Sequence, residues 1–289
     1  MQTMLAMWLS LILAFTSVFG LVGDKYEVYE NIRYGEAERD LVTIYVPETA
    51  YENEHNGCIL YIHGGSWQGG EKEDMAPHCK KLAMKGYITA TMSYSLYSDE
   101  VFGEVTAFTM IDEIDKCIDA IKAFSDEHKL NITKLATSGY SAGGHLSMLY
   151  SYARPQDSSI ELAFTANRVG PSDMGKDVWG SYSLASMLAG VKITDEMIAS
   201  GEADIIADSV SPVAYVDGNT MPSIFAYAGN DILVGKGNRD SIKKTFENNG
   251  TEYEYIFFPM SGHGLLLDPI SEMQYYKALY SYCEKYFGY

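Results

Sequence analysis

Basic residues are scarce: 21 Lys and Arg stand against 39 Asp and Glu, a formal charge of -18. So acidic a chain repels phosphate backbones and anionic lipid, which sets nucleic acid aside as a partner. The same charge also serves plain solubility. The four cysteines, Cys58, Cys79, Cys117 and Cys283, include no Cys-x-x-Cys pair, and the sequence assigns no disulfide among them. No cluster of ligands stands at metal spacing, so neither a metal nor an organic cofactor is expected. No repeat, low-complexity tract or Pro-rich linker interrupts residues 24–289, which points to one domain over 23–289. With 47% hydrophobic and 21% charged residues, that domain has the composition of a globular protein with a sizeable core.

Charge is also missing from the first 22 residues, MQTMLAMWLSLILAFTSVFGLV, which are mostly apolar. Such a run fits a secretory signal peptide with a small-residue cleavage site at Val18-Phe19-Gly20, although no Lys or Arg precedes it. A single membrane anchor is the competing reading. The expectation is therefore a secreted or cell-surface protein, with membrane attachment through residues 1–22 as the alternative.

What is present alternates. YEVYENIRY and DLVTIYVP, between Tyr26 and Pro47, predict two antiparallel strands joined by a Gly-containing turn. CILYIHGG (58–65) is a short apolar run ending in glycines, suited to a strand buried on both faces. A helical pattern over 73–86 follows, closed by Gly86. The cycle repeats with a strand in YITATMSYSL, then a long helix with Ile111, Ile114, Ile118 and Ile121 on its apolar side. KLATSGYS reads as a strand that opens into a helix at Ser141, and ELAFTANRVG, PSIFAYAGND and YEYIFFPM read as further strands. This alternation predicts an α/β fold, a mostly parallel central sheet with helices on both faces, with ligands bound beyond the carboxyl ends of the strands. Residues of about 171–221 break the rhythm with two or three helical patterns and are expected to form a cap over the site, or else an ordinary surface excursion.

GYSAGGH (139–145) carries the chemistry. A serine on a strained strand-to-helix turn projects its hydroxyl above the sheet, and glycines flank it where a side chain would meet backbone. Ser141 in that position is a candidate nucleophile, and a hydroxyl needs a base and the base an orienting acid. Of six histidines, His55 and His128 read as solvated, His78 as a surface or packing residue, and His145 as structural. His263 instead sits in a glycine-bracketed loop after YEYIFFP, at the end of the sheet where the site belongs. Asp231, at the end of the preceding strand, is the expected acid, with Asp240 and Asp268 as rivals. The amides of Gly64 and Gly65 in HGGSW, with that of Ala142 after the nucleophile, can supply donors for a developing oxyanion.

HGGSW, GYSAGG, AGNDILV and SGHG, in that order over residues 40–288, resemble the α/β-hydrolase superfamily, close to its hormone-sensitive-lipase-like and bacterial carbohydrate-esterase-like members. Ser66 replaces the third glycine of the lipase-type HGGG pattern. The resemblance implies a Ser141, Asp231, His263 triad with Gly64, Gly65 and Ala142 as oxyanion donors. It implies a serine carboxylic-ester hydrolase acting through an acyl-enzyme on a small-molecule or oligosaccharide ester, such as acetyl or feruloyl groups on carbohydrate. An amide hydrolase of the arylformamidase type uses the same triad, and a catalytically inactive binding module is the reading from another class. Trp67 and Tyr94 are expected as an apolar or sugar-stacking wall.

Overall fold

The computed structural model describes residues 23–288, so the signal peptide or anchor expected over 1–22 lies outside the described residues. Eight strands form one sheet: β1 (Tyr26–Arg33), β2 (Leu41–Pro47), β3 (Asn56–Ile62), β4 (Ile88–Met92), β5 (Ile132–Tyr140), β6 (Glu161–Arg168), β7 (Ser223–Ala228) and β8 (Tyr253–Phe258). Their order is β1-β2-β4-β3-β5-β6-β7-β8. β1 pairs antiparallel with β2 and β2 with β4, while every later pairing is parallel.

Every residue of β3 is buried, and the period of two divides its side chains between two cores. Cys58, Leu60 and Ile62 enter a core with α2 (Ala107–His128) and α3 (Ala142–Ala153). Ile59 and Tyr61 enter the opposite one, with α1 (Ala76–Ala83) and α9 (Pro269–Cys283). On α2 the expected stripe of Ile111, Ile114, Ile118 and Ile121 is buried, each side chain contributing about 1.5–3 kcal/mol. All four cysteines are buried free thiols, pushed well above the ordinary thiol range by burial.

Two expectations need correction. The strand foreseen over 87–96 ends at Met92, the last residue of β4 in register with both β2 and β3; the Ser93 amide still donates to Leu41 O, while its hydroxyl accepts the Lys72 amide. The segment 171–221 holds four short α-helices and one 3₁₀ turn (Pro212–Tyr215) rather than two or three helices: α4 (Lys176–Trp179), α5 (Ser183–Ala189), α6 (Asp195–Ser200) and α7 (Glu202–Ser209). Met174, Ala185, Leu188, Ala207 and Val210 of this insertion belong to the α2 and α3 core, so it is packed onto the domain. α8 (Lys236–Asn249) precedes β8. No helix among the described residues is long and apolar enough to cross a membrane.

Candidate active site

Parallel strands β5, β7 and β8 deliver three side chains to the same end of the sheet. Ser141 stands between β5 and α3 at φ 55 and ψ -121, a strained conformation held from both sides. Its amide donates to Arg168 O at 2.9 Å, and its carbonyl accepts the His145 amide at 3.0 Å. The turn exists only because its neighbours lack side chains. A Cβ on Gly143 would press on the carbonyl oxygens of Ile62 and His63, and one on Gly139 on the backbone of Gly143.

Asp231 follows β7, and its side chain is 1% exposed. One carboxylate oxygen accepts the amides of Leu233 and Val234, each at 2.9 Å. The other lies 2.8 Å from His263 Nδ1. Burial opposes ionisation, but the hydrogen bonds from His263 and the two amides outweigh it and hold the carboxyl below its ordinary range. An ionised carboxylate only accepts, so His263 Nδ1 carries the proton and Nε2 is free to accept. Nε2 lies 2.8 Å from Ser141 Oγ, whose hydroxyl therefore donates to it. A hydroxyl so placed can pass its proton to the imidazole as its oxygen forms a bond.

The rival acids are committed elsewhere. Asp240 pairs with Lys236 and Arg239 on the surface, and Asp268 receives the Met260 and Ser261 amides and the Ser261 hydroxyl. Asp268 thus shapes the loop that carries His263. The elbow itself grips that loop through Tyr140, whose hydroxyl donates to His263 O and whose ring meets the imidazole edge-on at 5.7 Å. Sequence reading missed Tyr140, since its partner lies 123 residues away.

The loop after β3 lies against the elbow: a Cβ on Gly64 would stand 2.9 Å from Tyr140 O and 3.2 Å from Ser141 Cβ. The Ala142 amide opens α3 and has no intrahelical acceptor. The expected wall of Trp67 and Tyr94 is a correction, because both rings are buried, at 5% and 0% exposure. Tyr94 stacks on His63 at 4.2 Å and donates to His63 O, while Trp67 donates to His145. They hold the loop from behind and present no face to a ligand.

Open space does adjoin the site. A pocket of about 460 Å³ is lined by Gly64, Gly65, Asp74, Met75, His78 and Tyr140. A neighbouring one of about 380 Å³ shares His78 and Tyr140 and adds Arg168, Leu265, Leu266 and Glu272. A further cavity, about 660 Å³, opens beyond the end of α3 among Tyr152, Glu161 and Asp217, at the amino end of β6 and away from Ser141. Among the described residues no group of three or more His, Cys, Asp and Glu side chains is arranged to hold a metal ion.

The strand order, the elbow at the end of β5 and the serine, histidine and aspartate brought together above the sheet define an α/β-hydrolase. Within that class, residues 42–245 match the family described as BD-FAE, and the chain belongs to it. The fold is also that of a truncated carbohydrate esterase from gut microbiota, with a TM-score of 0.75 at 18% identity over 92% of this chain and 98% of that one. A kynurenine formamidase of Danio rerio is 23% identical over 86% of this chain and 75% of its own length. The corresponding protein of Salmo salar is 27% identical over 41% of this chain, a match that takes in 37% of that relative.

Proposed function

We propose that the chain is a serine carboxylic-ester hydrolase that works through an acyl-enzyme on short acyl esters, such as acetyl or feruloyl groups on carbohydrate. The carrying observation is the unbroken hydrogen-bond chain from Ser141 Oγ through His263 to Asp231, 2.8 Å at each step. Ser141 Oγ bonds to the ester carbonyl carbon while its proton passes to His263 Nε2. The carbonyl oxygen becomes an oxyanion facing the amides of Gly64, Gly65 and Ala142. The adduct collapses as the C–O bond to the alcohol breaks and the leaving oxygen takes the proton from Nε2. Water then gives a proton to the same nitrogen as its oxygen bonds to the acyl carbon, and the bond from that carbon to Ser141 Oγ breaks as Oγ takes the proton back from Nε2, releasing the acid. The pocket beside Gly64 and Gly65 is of the size that small-molecule sites use. The likeness to a carbohydrate esterase supports the carbohydrate side of the reading.

Hydrolysis of a formamide is the second reading, supported by the kynurenine formamidase relatives. The test is turnover of p-nitrophenyl acetate, butyrate and octanoate, acetylated xylo-oligosaccharides and an N-formyl arylamine by residues 23–289 and by Ser141→Ala. Fast acetate and xylo-oligosaccharide turnover, lost in the variant, is expected. Preference for the formyl amide would move the assignment to the second reading, and no turnover above the variant would refute both.

A further inference from the structure

His145 is fully buried four residues after the nucleophile and bridges three segments. Its Nδ1 lies 3.2 Å from Trp67 Nε1, in the loop after β3, and its Nε2 lies 2.8 Å from Val210 O, at the end of the helical insertion. An indole N–H only donates and a carbonyl only accepts, so one arrangement satisfies both: an unprotonated Nδ1 and a proton on Nε2. The ring is neutral, and burial, which pushes its pKa down to about 4, keeps it so.

The loop that His145 holds is strained. Gly65, Ser66 and Trp67 stand at φ 116, 55 and 61, three successive residues at positive φ, two of them with side chains. The two with side chains cost about 1–3 kcal/mol each and persist only where their surroundings impose them. The Trp67–His145 bond is one such restraint, with the Tyr97 amide on Trp67 O at 2.8 Å as another. We infer that His145 is a positioning residue for the oxyanion loop, holding the amides of Gly64 and Gly65 at the reaction centre through the indole of Trp67. This rests on the reading that those amides receive the oxyanion. His145 touches no reacting atom, so its effect falls on the transition state and leaves ester binding alone.

The test compares His145→Leu, His145→Asn, His145→Gln, Trp67→Phe and the double variant Trp67→Phe/His145→Leu, each checked for folding by thermal melting. An Asn amide oxygen takes the place of Nδ1 and can accept from Trp67, whereas a Gln amide nitrogen takes the place of Nε2 and can donate to Val210. His145→Leu and Trp67→Phe are expected to lower kcat on p-nitrophenyl acetate about 10- to 100-fold with KM within about twofold. His145→Asn is expected to recover most of that loss, and His145→Gln little. The double variant is expected to lose no more than the worse single one, because one bond is removed once. A kcat within about threefold of the parent in the folded Leu and Phe variants would overturn the inference. Equal rescue by Asn and Gln, or additive losses in the double variant, would overturn it too. If His145→Leu does not fold, Trp67→Phe and His145→Asn decide alone. Ser141→Ala separates the two claims: retained turnover there defeats the hydrolase reading, whereas its loss beside neutral His145 variants defeats only this one.

Discussion

Replacing Asp231 by Asn changes one atom and inverts the proton arrangement of the site. The remaining amide oxygen can go on accepting from Leu233 and Val234, so the loop keeps its shape. The new amide nitrogen then faces His263 Nδ1 and donates to it, which forces the imidazole proton onto Nε2, against Ser141. To act as a base, His263 must turn its Nδ1 donor toward the donor of the new amide, which costs about 1–3 kcal/mol. It also loses the carboxylate that steadies the imidazolium, worth about 4 kcal/mol for unit charges about 4 Å apart at an effective dielectric of 20. The sum, about 5–7 kcal/mol, corresponds to a fall of about 10⁴- to 10⁵-fold in kcat. The same substitution in the trypsin triad costs about 10⁴-fold. The assay is the steady-state rate with p-nitrophenyl acetate at neutral pH, alongside a melting curve. A folded Asp231→Asn protein with kcat within about tenfold of the parent would show that Asp231 does not set the tautomer of His263.

Three further outcomes are expected. In Gly143→Ala the new methyl would meet the carbonyl oxygens of Ile62 and His63 well inside the 3.0 Å that real Cβ atoms keep. Helix α3 or the loop after β3 must then move, at about 1–3 kcal/mol of stability and with a large loss of kcat; unchanged melting and turnover would refute the contact. Asp268→Ala removes the acceptor for the Met260 and Ser261 amides, so melting temperature and kcat fall together, whereas a tautomer effect would leave melting alone. His63 and His145 are buried and His78 is half-buried, and desolvation pushes all three pKa values down to about 4 from 6.5. Because the unfolded chain protonates first, their contribution is intact above about pH 6.5 and is lost as pH falls toward 4, about 1.4 kcal/mol per pH unit for each ring. Urea midpoints measured between pH 7 and 5 should therefore fall less steeply in His78→Gln than in the parent, and equal slopes would count against a neutral His78.

The sheet could be read from the sequence because parallel strands buried on both faces are short apolar runs, and glycine marks where several of them, β3, β5 and β7 among them, leave the sheet. Ser141, Asp231 and His263 could be read for a related reason: each sits just past such a run, and parallel strands carry those positions to one end. Residue type alone misled at Trp67 and Tyr94. An aromatic ring suits a binding wall and a buried support equally, and only the contacts of Trp67 with His145 and Tyr94 with His63 decide between them. The early end of β4 was hidden likewise, since it is set by where the neighbouring strands β2 and β3 stop pairing with it. Tyr140 belongs to the same class, a side chain whose work is visible only once a loop 123 residues away closes onto it.

The most direct test of the central claim is to trap the acyl-enzyme. The protein is mixed with p-nitrophenyl acetate, quenched in acid at short times and digested, and the peptide containing Ser141 is weighed. A burst of p-nitrophenol accompanied by one acetyl mass on Ser141, with neither in Ser141→Ala, is the predicted result. Turnover without any acetylated Ser141, or turnover that survives in Ser141→Ala, would contradict the account.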